Sequence, residues 1–333
     1  MQYWSLFLLL FAPMQASNFD DEFRQGLLAL QKNDLAEAER CLGNASRLNP
    51  SNALVWSALA STYLHEKDTA KAADAAANAA KLGADNPTVQ RSLAMFYSQA
   101  GDFSKAAEWQ RRYIETRTPD NEGPLFDLGN LLLHSGDFAG ALAVFEKGKT
   151  QFPESAQMEL AYGVAAYGQR KFQESIASFL RVIKLDQSIE QPYVFLGRML
   201  DQAGDRLPEI TAAYAAWEKE NPNNYLPPLL YAKALSAAGG ALEAVEPELR
   251  KSIRLNTDSW EAHLELGTLL VQQKKWQDAA AELKRSIELN ANEPRAHFQL
   301  ARAYERLGEK DKALAERTIH ERLTASETNA AKP

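Results

Sequence analysis

An all-α chain, an α-solenoid of stacked helix–turn–helix units, is predicted by three observations. The stretch "AHFQLARAYERLGEKDKALAE" at 296–316 echoes "AHLELGTLLVQQKKWQDAAAE" thirty-four residues earlier, so that His297, Leu300 and Ala313 fall on His263, Leu266 and Ala279. Alanine is abundant and no continuous Val/Ile run stands between turn residues, a pattern of helices rather than strands. Gly-Asp or Lys-Asp pairs recur between apolar stretches, each able to stop one helix and cap the next.

The same grammar runs through nine copies, beginning near Phe19, Ala53, Pro87, Glu122, Ala156, Glu190, Asn224, Trp260 and Pro294 and ending near Leu323. The first helix of a copy carries large residues one turn apart, as at Leu128 and Leu132 or Leu300 and Tyr304. Beside them recur small residues, Gly129, Gly163, Gly197, Gly267 and Ala301, where a side chain would hold paired helices apart. Ala72, Ala106, Ala141, Ala279 and Ala313 match them on the second helix. Gly101-Asp102 and Gly136-Asp137 are turn and N-cap, and Pro50, Pro153 and Pro222 block continuation at the end of a copy. The sixth and seventh copies fit least well. Pro208 adds a residue to the register and suits the first turn of a helix. Pro247 calls for a second helix that starts late, near Glu246, or one that kinks, and a weak interface or bend is expected there. Residues 324–333 are polar and aperiodic, and are expected to form a disordered tail.

Two copies together carry the pattern. One holds Trp56, Leu59, Ala60, Tyr63, Asp68 and Ala72; another holds Leu128, Gly129, Gly136, Asp137, Phe138, Ala141, Phe145 and Pro153. These residues resemble the tetratricopeptide repeat, which runs W-x-x-L-G-x-x-Y, then A-x-x-x-F, then P over about 34 residues. The resemblance covers almost the whole chain after residue 17. It implies one right-handed superhelix and a protein-binding scaffold whose concave groove is lined by the first helix of each repeat. Carried over, the central copies supply Phe126, Asn130 and Leu133, then Leu160, Val164 and Tyr167, then Val194 and Arg198. The later copies supply Leu229 and Lys233, Leu264, Thr268 and Val271, and Phe298 and Arg302. The apolar stretch from 126 to 167 suits a hydrophobic peptide segment or helix, with Arg198, Lys233 and Arg302 holding acidic groups. Some family members grip a terminal carboxylate with Lys and Asn; here Asn130 matches, but Phe126 stands in place of the lysine.

No motif carries chemistry. His263 and His297 take the fourth slot of their copies, which Trp56 and Tyr193 take elsewhere, so they read as side chains stacked between helices. His65 and His134 share a slot at the end of the first helix. "HEKDT" at 65–69 begins like a zinc-protease helix, but Thr69 stands where the second histidine belongs. No nucleophile elbow, P-loop or dinucleotide fingerprint occurs. Carboxylates such as Glu282 and Glu288 read as solvated surface. The expectation is a chain with no catalytic residues, metal site or cofactor.

A net charge of −7 gives no broad basic footprint, which argues against nucleic acid as a partner. The opening "MQYWSLFLLLFAPMQAS" has an apolar run from Leu6 to Ala12 and no charge before Asp20, and resembles a signal peptide cut near Ala16 or Ser17. It lacks a basic start and an A-x-A site, so an uncleaved anchor or a hydrophobic first helix capping the fold stays open. Cys41 is the sole cysteine, sits beside Leu42, and reads as an inert small hydrophobe. Together these features predict an exported, non-catalytic interaction scaffold, periplasmic or secreted, that binds a protein or peptide segment. The alternative is a structural subunit of a cell-envelope assembly for pili, secretion or polysaccharide export.

Overall fold

The computed structural model describes residues 18–116 and 119–330; the proposed signal segment lies outside them. Among the described residues there is no strand, and no helix is long and apolar enough to cross a membrane. The described residues form eighteen α-helices in nine hairpins that begin within two residues of the expected starts.

The chain divides into two compact units, Met1–Pro153 and Glu154–Pro333. The first holds α1 (Phe19–Gln31), α2 (Leu35–Leu48), α3 (Ala53–His65), α4 (Thr69–Gly83), α5 (Pro87–Gln99), α6 (Phe103–Thr116), α7 (Gly123–His134) and α8 (Phe138–Gln151). The second holds α9 (Ala156–Gly168), α10 (Phe172–Leu185), α11 (Gln191–Gly197), α12 (Leu207–Glu220) and α13 (Leu226–Ala237). It continues with α14 (Leu242–Leu255), α15 (Trp260–Gln272), α16 (Trp276–Leu289), α17 (Pro294–Leu307) and α18 (Lys310–Ala330).

Each hairpin closes as the turn residues dictate. Gly101 and Gly136 take φ of +79° and +82°, the left-handed conformation that ends a helix. The next residue caps its successor: Asp102 Oδ1 accepts from Lys105 N at 3.1 Å, and Asp137 Oδ1 from Gly140 N at 2.9 Å. Small residues stand where helices cross. A Cβ on Gly129 would overlap the buried Phe145 ring, and one on Gly163 would lie 2.8 Å from Phe179 Cε1. Leu42, Leu59, Leu93, Leu125 and Phe145 are fully buried in the first unit, and Phe179, Tyr193, Tyr214 and Leu283 in the second.

The irregular copies resolve in two ways. In the sixth, α11 stops after seven residues, and two 3₁₀ turns, Leu200–Gln202 and Gly204–Arg206, lead to α12 with Pro208 in its first turn. Met199, Leu200 and Ala203 stay buried throughout, so the two 3₁₀ turns take up the extra residue without turning the apolar side outward. In the seventh, α14 does not start late: it begins at Leu242 and runs through Pro247. Proline has no N–H, so the Glu243 carbonyl loses its helical donor. Glu246 reaches from this turn to the next copy: its carboxylate accepts from Gln273 Nε2 at 3.1 Å and Lys275 Nζ at 3.3 Å, and from Arg250 Nε at 2.9 Å within the helix. The Arg250 guanidinium, with the Gln273 amide, holds that carboxyl below its ordinary range. At the end of the chain α18 continues through residues expected as tail, to Ala330; "TASETNAA" contains no Gly or Pro to stop it.

One titrating group sits apart from any hollow. Lys251 Nζ lies 2.6 Å from Glu218 Oε1, and burial together with the neighbouring Glu218 pushes the Glu248 carboxyl up to about 7. An acid with a raised folded pKa binds its proton more tightly when folded, so its contribution to stability falls as pH rises from about 4.5 to about 7. Glu248→Gln is expected to flatten that part of the stability profile, read by urea unfolding at pH 4.5 and 7.5. An unchanged profile would show that Glu248 does not hold its proton more tightly in the folded chain.

Candidate partner-binding face

In the first unit the first helices of the early copies turn an unfilled surface outward. A hollow of about 410 Å³ lies between α1, α3 and α5, walled by Phe23, Leu27, Leu30, Leu54 and Met95 with Ser57, Ser61 and Ser92 between them. A second hollow of about 390 Å³ lies between α5, α6 and α7, lined by Gln99, Gln110, Asp127, Asn130 and His134. Met95 and Gln99 belong to both. Both volumes fall within the range of about 300–1,000 Å³ common to ligand clefts. Met95 is 56% exposed and Leu27 42%, so this apolar surface is not core.

The two hollows differ in chemistry. The first has hydroxyls and one imidazole, His65, but no acid or base of fixed charge. The second contains one, Asp127, whose carboxyl is raised by burial, with Arg91 opposing the shift. His134 places Nδ1 2.8 Å from the Asn130 carbonyl, and its ring lies 5.0 Å from that of Phe103.

Of the expected groove residues in this unit, Asn130 lines a hollow. Phe126 and Leu133 are half-buried, and the Phe126 ring packs 6.2 Å from that of Phe145. Leu27 and Met95 were missed although the signal was present: both take the ninth slot of their copies, the slot of Asn130. Asp127 has no such signal, because its place in the hollow depends on α5 and α6.

In the second unit Leu160, Val164 and Tyr167 are half-buried against the core around Phe179, with the Tyr167 ring edge-on to Phe195 at 5.2 Å. Arg198 is exposed over the Phe195 ring at 5.5 Å. Lys233 lines a hollow of only about 70 Å³ with Thr268 and Gln272, and its Nζ lies 3.7 Å from Glu261. Phe298 is 44% exposed, with its ring 5.3 Å from His320 and the Arg302 guanidinium 5.9 Å away. Three further positions cannot line a groove: Leu229, Leu264 and Val271 are buried, facing neighbouring helices instead. Val194 is half-buried.

The histidines are held by bonds that spacing alone does not show. His263 Nε2 lies 3.2 Å from Thr257 O and its Nδ1 2.6 Å from Glu282 Oε2; His297 repeats this with Ala291 O at 3.1 Å and Glu316 Oε2 at 2.6 Å. Glu282 is therefore a half-buried partner, not the solvated surface expected of it. The slot itself has a use. Trp56 Nε1 donates to Pro50 O at 2.8 Å, Gln90 Nε2 to Ala84 O at 2.8 Å, and Tyr193 OH to Gln187 O at 3.5 Å. In all five copies a donor takes the carbonyl six residues back, in the loop between repeats, which a helix end leaves without a partner. Cys41 is fully buried and its thiol is pushed up to about 11, chiefly by burial, which leaves little thiolate to react. Among the described residues no three His, Cys, Asp or Glu side chains are grouped to hold a metal.

No curated protein matches the sequence. The fold recurs in solved structures. The C-terminal part of a TPR repeat-containing protein from Cytophaga hutchinsonii superposes with a TM-score of 0.51 at 15% identity, over 84% of this chain and 99% of that one. A chain of the APC/C hetero-tetramer Cut9–Hcn1 gives 0.48 at 16%, over 93% and 61%, so this chain spans less than two thirds of it. Yeast Tom70 gives 0.44 at 12%, over 96% and 91%. A family model described as tetratricopeptide repeat matches residues 23–87, 68–122 and 126–192, and another described as TPR repeat matches 267–308. The unmatched stretch between 193 and 266 contains the shortened α11 and the proline-bearing α14. With nine hairpins in register and more than half of its length matched, the chain belongs to the tetratricopeptide repeat family.

Proposed function

We propose that this chain is a non-catalytic interaction scaffold and that the face formed by α1, α3, α5 and α7 holds a segment of a partner protein. The observation that carries the reading is the exposed Met95 between two hollows of ligand size. An apolar surface kept in water costs free energy that a partner recovers by covering it, about 25 cal/mol per Å². The second unit offers Phe298 with Arg302 as a smaller contact.

Export is part of the proposal and rests on the apolar run Leu6–Ala12 with no charge before Asp20. Fusing residues 1–17 to a reporter active only outside the cytoplasm tests it; an inactive reporter ends that part. A structural subunit of an envelope assembly is the second reading. Leu48 and Leu82, exposed at corresponding ends of α2 and α4, favour it.

The decisive test is crosslinking in the native cell, comparing the wild-type chain with Leu27→Glu/Met95→Glu. Both side chains are exposed, so the variant is expected to keep its helical circular dichroism. Recovery of the attached partner should fall by about tenfold or more, as expected when charge replaces buried apolar contact. Unchanged recovery removes the face from the account, and permanent contacts elsewhere then become the better reading.

A further inference from the structure

We infer that the partner segment is basic: a Lys or Arg side chain seats in the second hollow against Asp127, while its apolar neighbours fill the first. The inference rests on the partner-binding reading above and adds the chemistry of the occupant.

Three features of the second hollow point the same way. Asp127 is its only side chain of fixed charge, and among the described residues that carboxylate makes no ion pair. Arg91 acts on it only through the field. His134 and Gln110 offer acceptors beside it, and Ser98, Gln99 and Asn130 can each turn an oxygen toward the same space. His134 Nδ1 faces the Asn130 carbonyl, which can only accept, so Nδ1 carries a hydrogen and, in the uncharged ring, Nε2 is the acceptor. Gln110 donates one amide N–H to Pro124 O at 2.9 Å, which fixes its amide and leaves Oε1 able to accept beside the second N–H. No Lys or Arg lines either hollow. One carboxylate among groups that can accept, with no Lys or Arg in the lining, matches an ammonium or guanidinium, which bring donors only. An acidic segment would meet like charge there, and a wholly apolar one would strip water from Asp127 without return.

Position adds to the fit. Met95 and Gln99 are common to both hollows, so one short segment crossing α5 reaches the apolar wall and the acceptors together. The net charge of −7 adds a mild long-range attraction for a basic partner.

The probe is a library of random twelve-residue peptides displayed on phage and selected against the full chain. Enriched peptides are then measured by fluorescence anisotropy. They are expected to carry a Lys or Arg beside two or more apolar residues. Asp127→Asn should weaken them about fivefold, the scale of a partly exposed charge pair. Replacing the peptide's cation by Met should cost a similar factor, and the two changes together should cost little more than one. Binding that is lost in Leu27→Glu/Met95→Glu but indifferent to Asp127→Asn overturns the cation assignment and leaves the partner face standing. If no peptide is enriched, or enriched peptides survive Leu27→Glu/Met95→Glu, the face fails and this inference with it.

Discussion

Gly129→Ala is expected to destabilise the chain by about 1–2 kcal/mol, and to stabilise it instead once Phe145 has been replaced by alanine. The new methyl group would occupy space taken by the Phe145 ring, itself fully buried. Overpacking of this kind costs about 1–3 kcal/mol, while alanine gains back up to about 1 kcal/mol over glycine inside a helix. Phe145→Ala alone should cost about 3–5 kcal/mol through lost burial and the cavity left behind. In that background the methyl group enters empty space, and only the helix preference of alanine remains. The cycle therefore predicts a coupling of about 2–3 kcal/mol between residues sixteen apart, read by chemical unfolding of the full chain. Gly43→Ala is the control: nothing lies within 4 Å of its Cβ, and a gain of about 0.5–1 kcal/mol is expected. Additive costs for Gly129 and Phe145 would show that the small residue at the crossing is not what lets these helices approach.

His263→Leu should cost about 2–3 kcal/mol and His263→Gln less than half of that. Leucine fills similar space but leaves two acceptors unanswered, the Thr257 carbonyl and the Glu282 carboxylate, which is 24% exposed. Stranding one member of a buried pair costs about 3–5 kcal/mol, and the residual exposure of Glu282 lowers that figure. Glutamine keeps a donor for the loop carbonyl, as Gln90 does in the same slot one copy after Trp56. Glu282→Gln in the His263→Leu chain should recover about 1 kcal/mol, because a neutral amide is cheaper to leave unpaired than a carboxylate. Equal tolerance of leucine and glutamine would mean that the slot is filled by volume alone.

The nine hairpins were legible because their signals are local and repeated. Leu128 and Leu132 share a face through the 3.6-residue period, and Asp102 caps the helix that follows it, whatever lies elsewhere in the chain. The site was only partly legible. Asn130, Leu27 and Met95 share one slot, yet Leu264 and Val271, also carried from groove positions, are buried in the core. Slot numbers say which way a side chain leaves its helix, not how closely the next helix approaches.

The amino-acid sequence by itself determined the all-α class, the repeat length, the helix starts and the need for small residues at the crossings. All of these follow from propensity, capping and periodicity within a few turns of chain. Only the tertiary structure decided that Glu282 answers His263, that α14 runs through Pro247, and that Met95 stands exposed between two hollows, one of them holding the Asp127 carboxylate. Each of those outcomes depends on distances between side chains of different helices, and the strength of a charge or an apolar contact is set by what surrounds it.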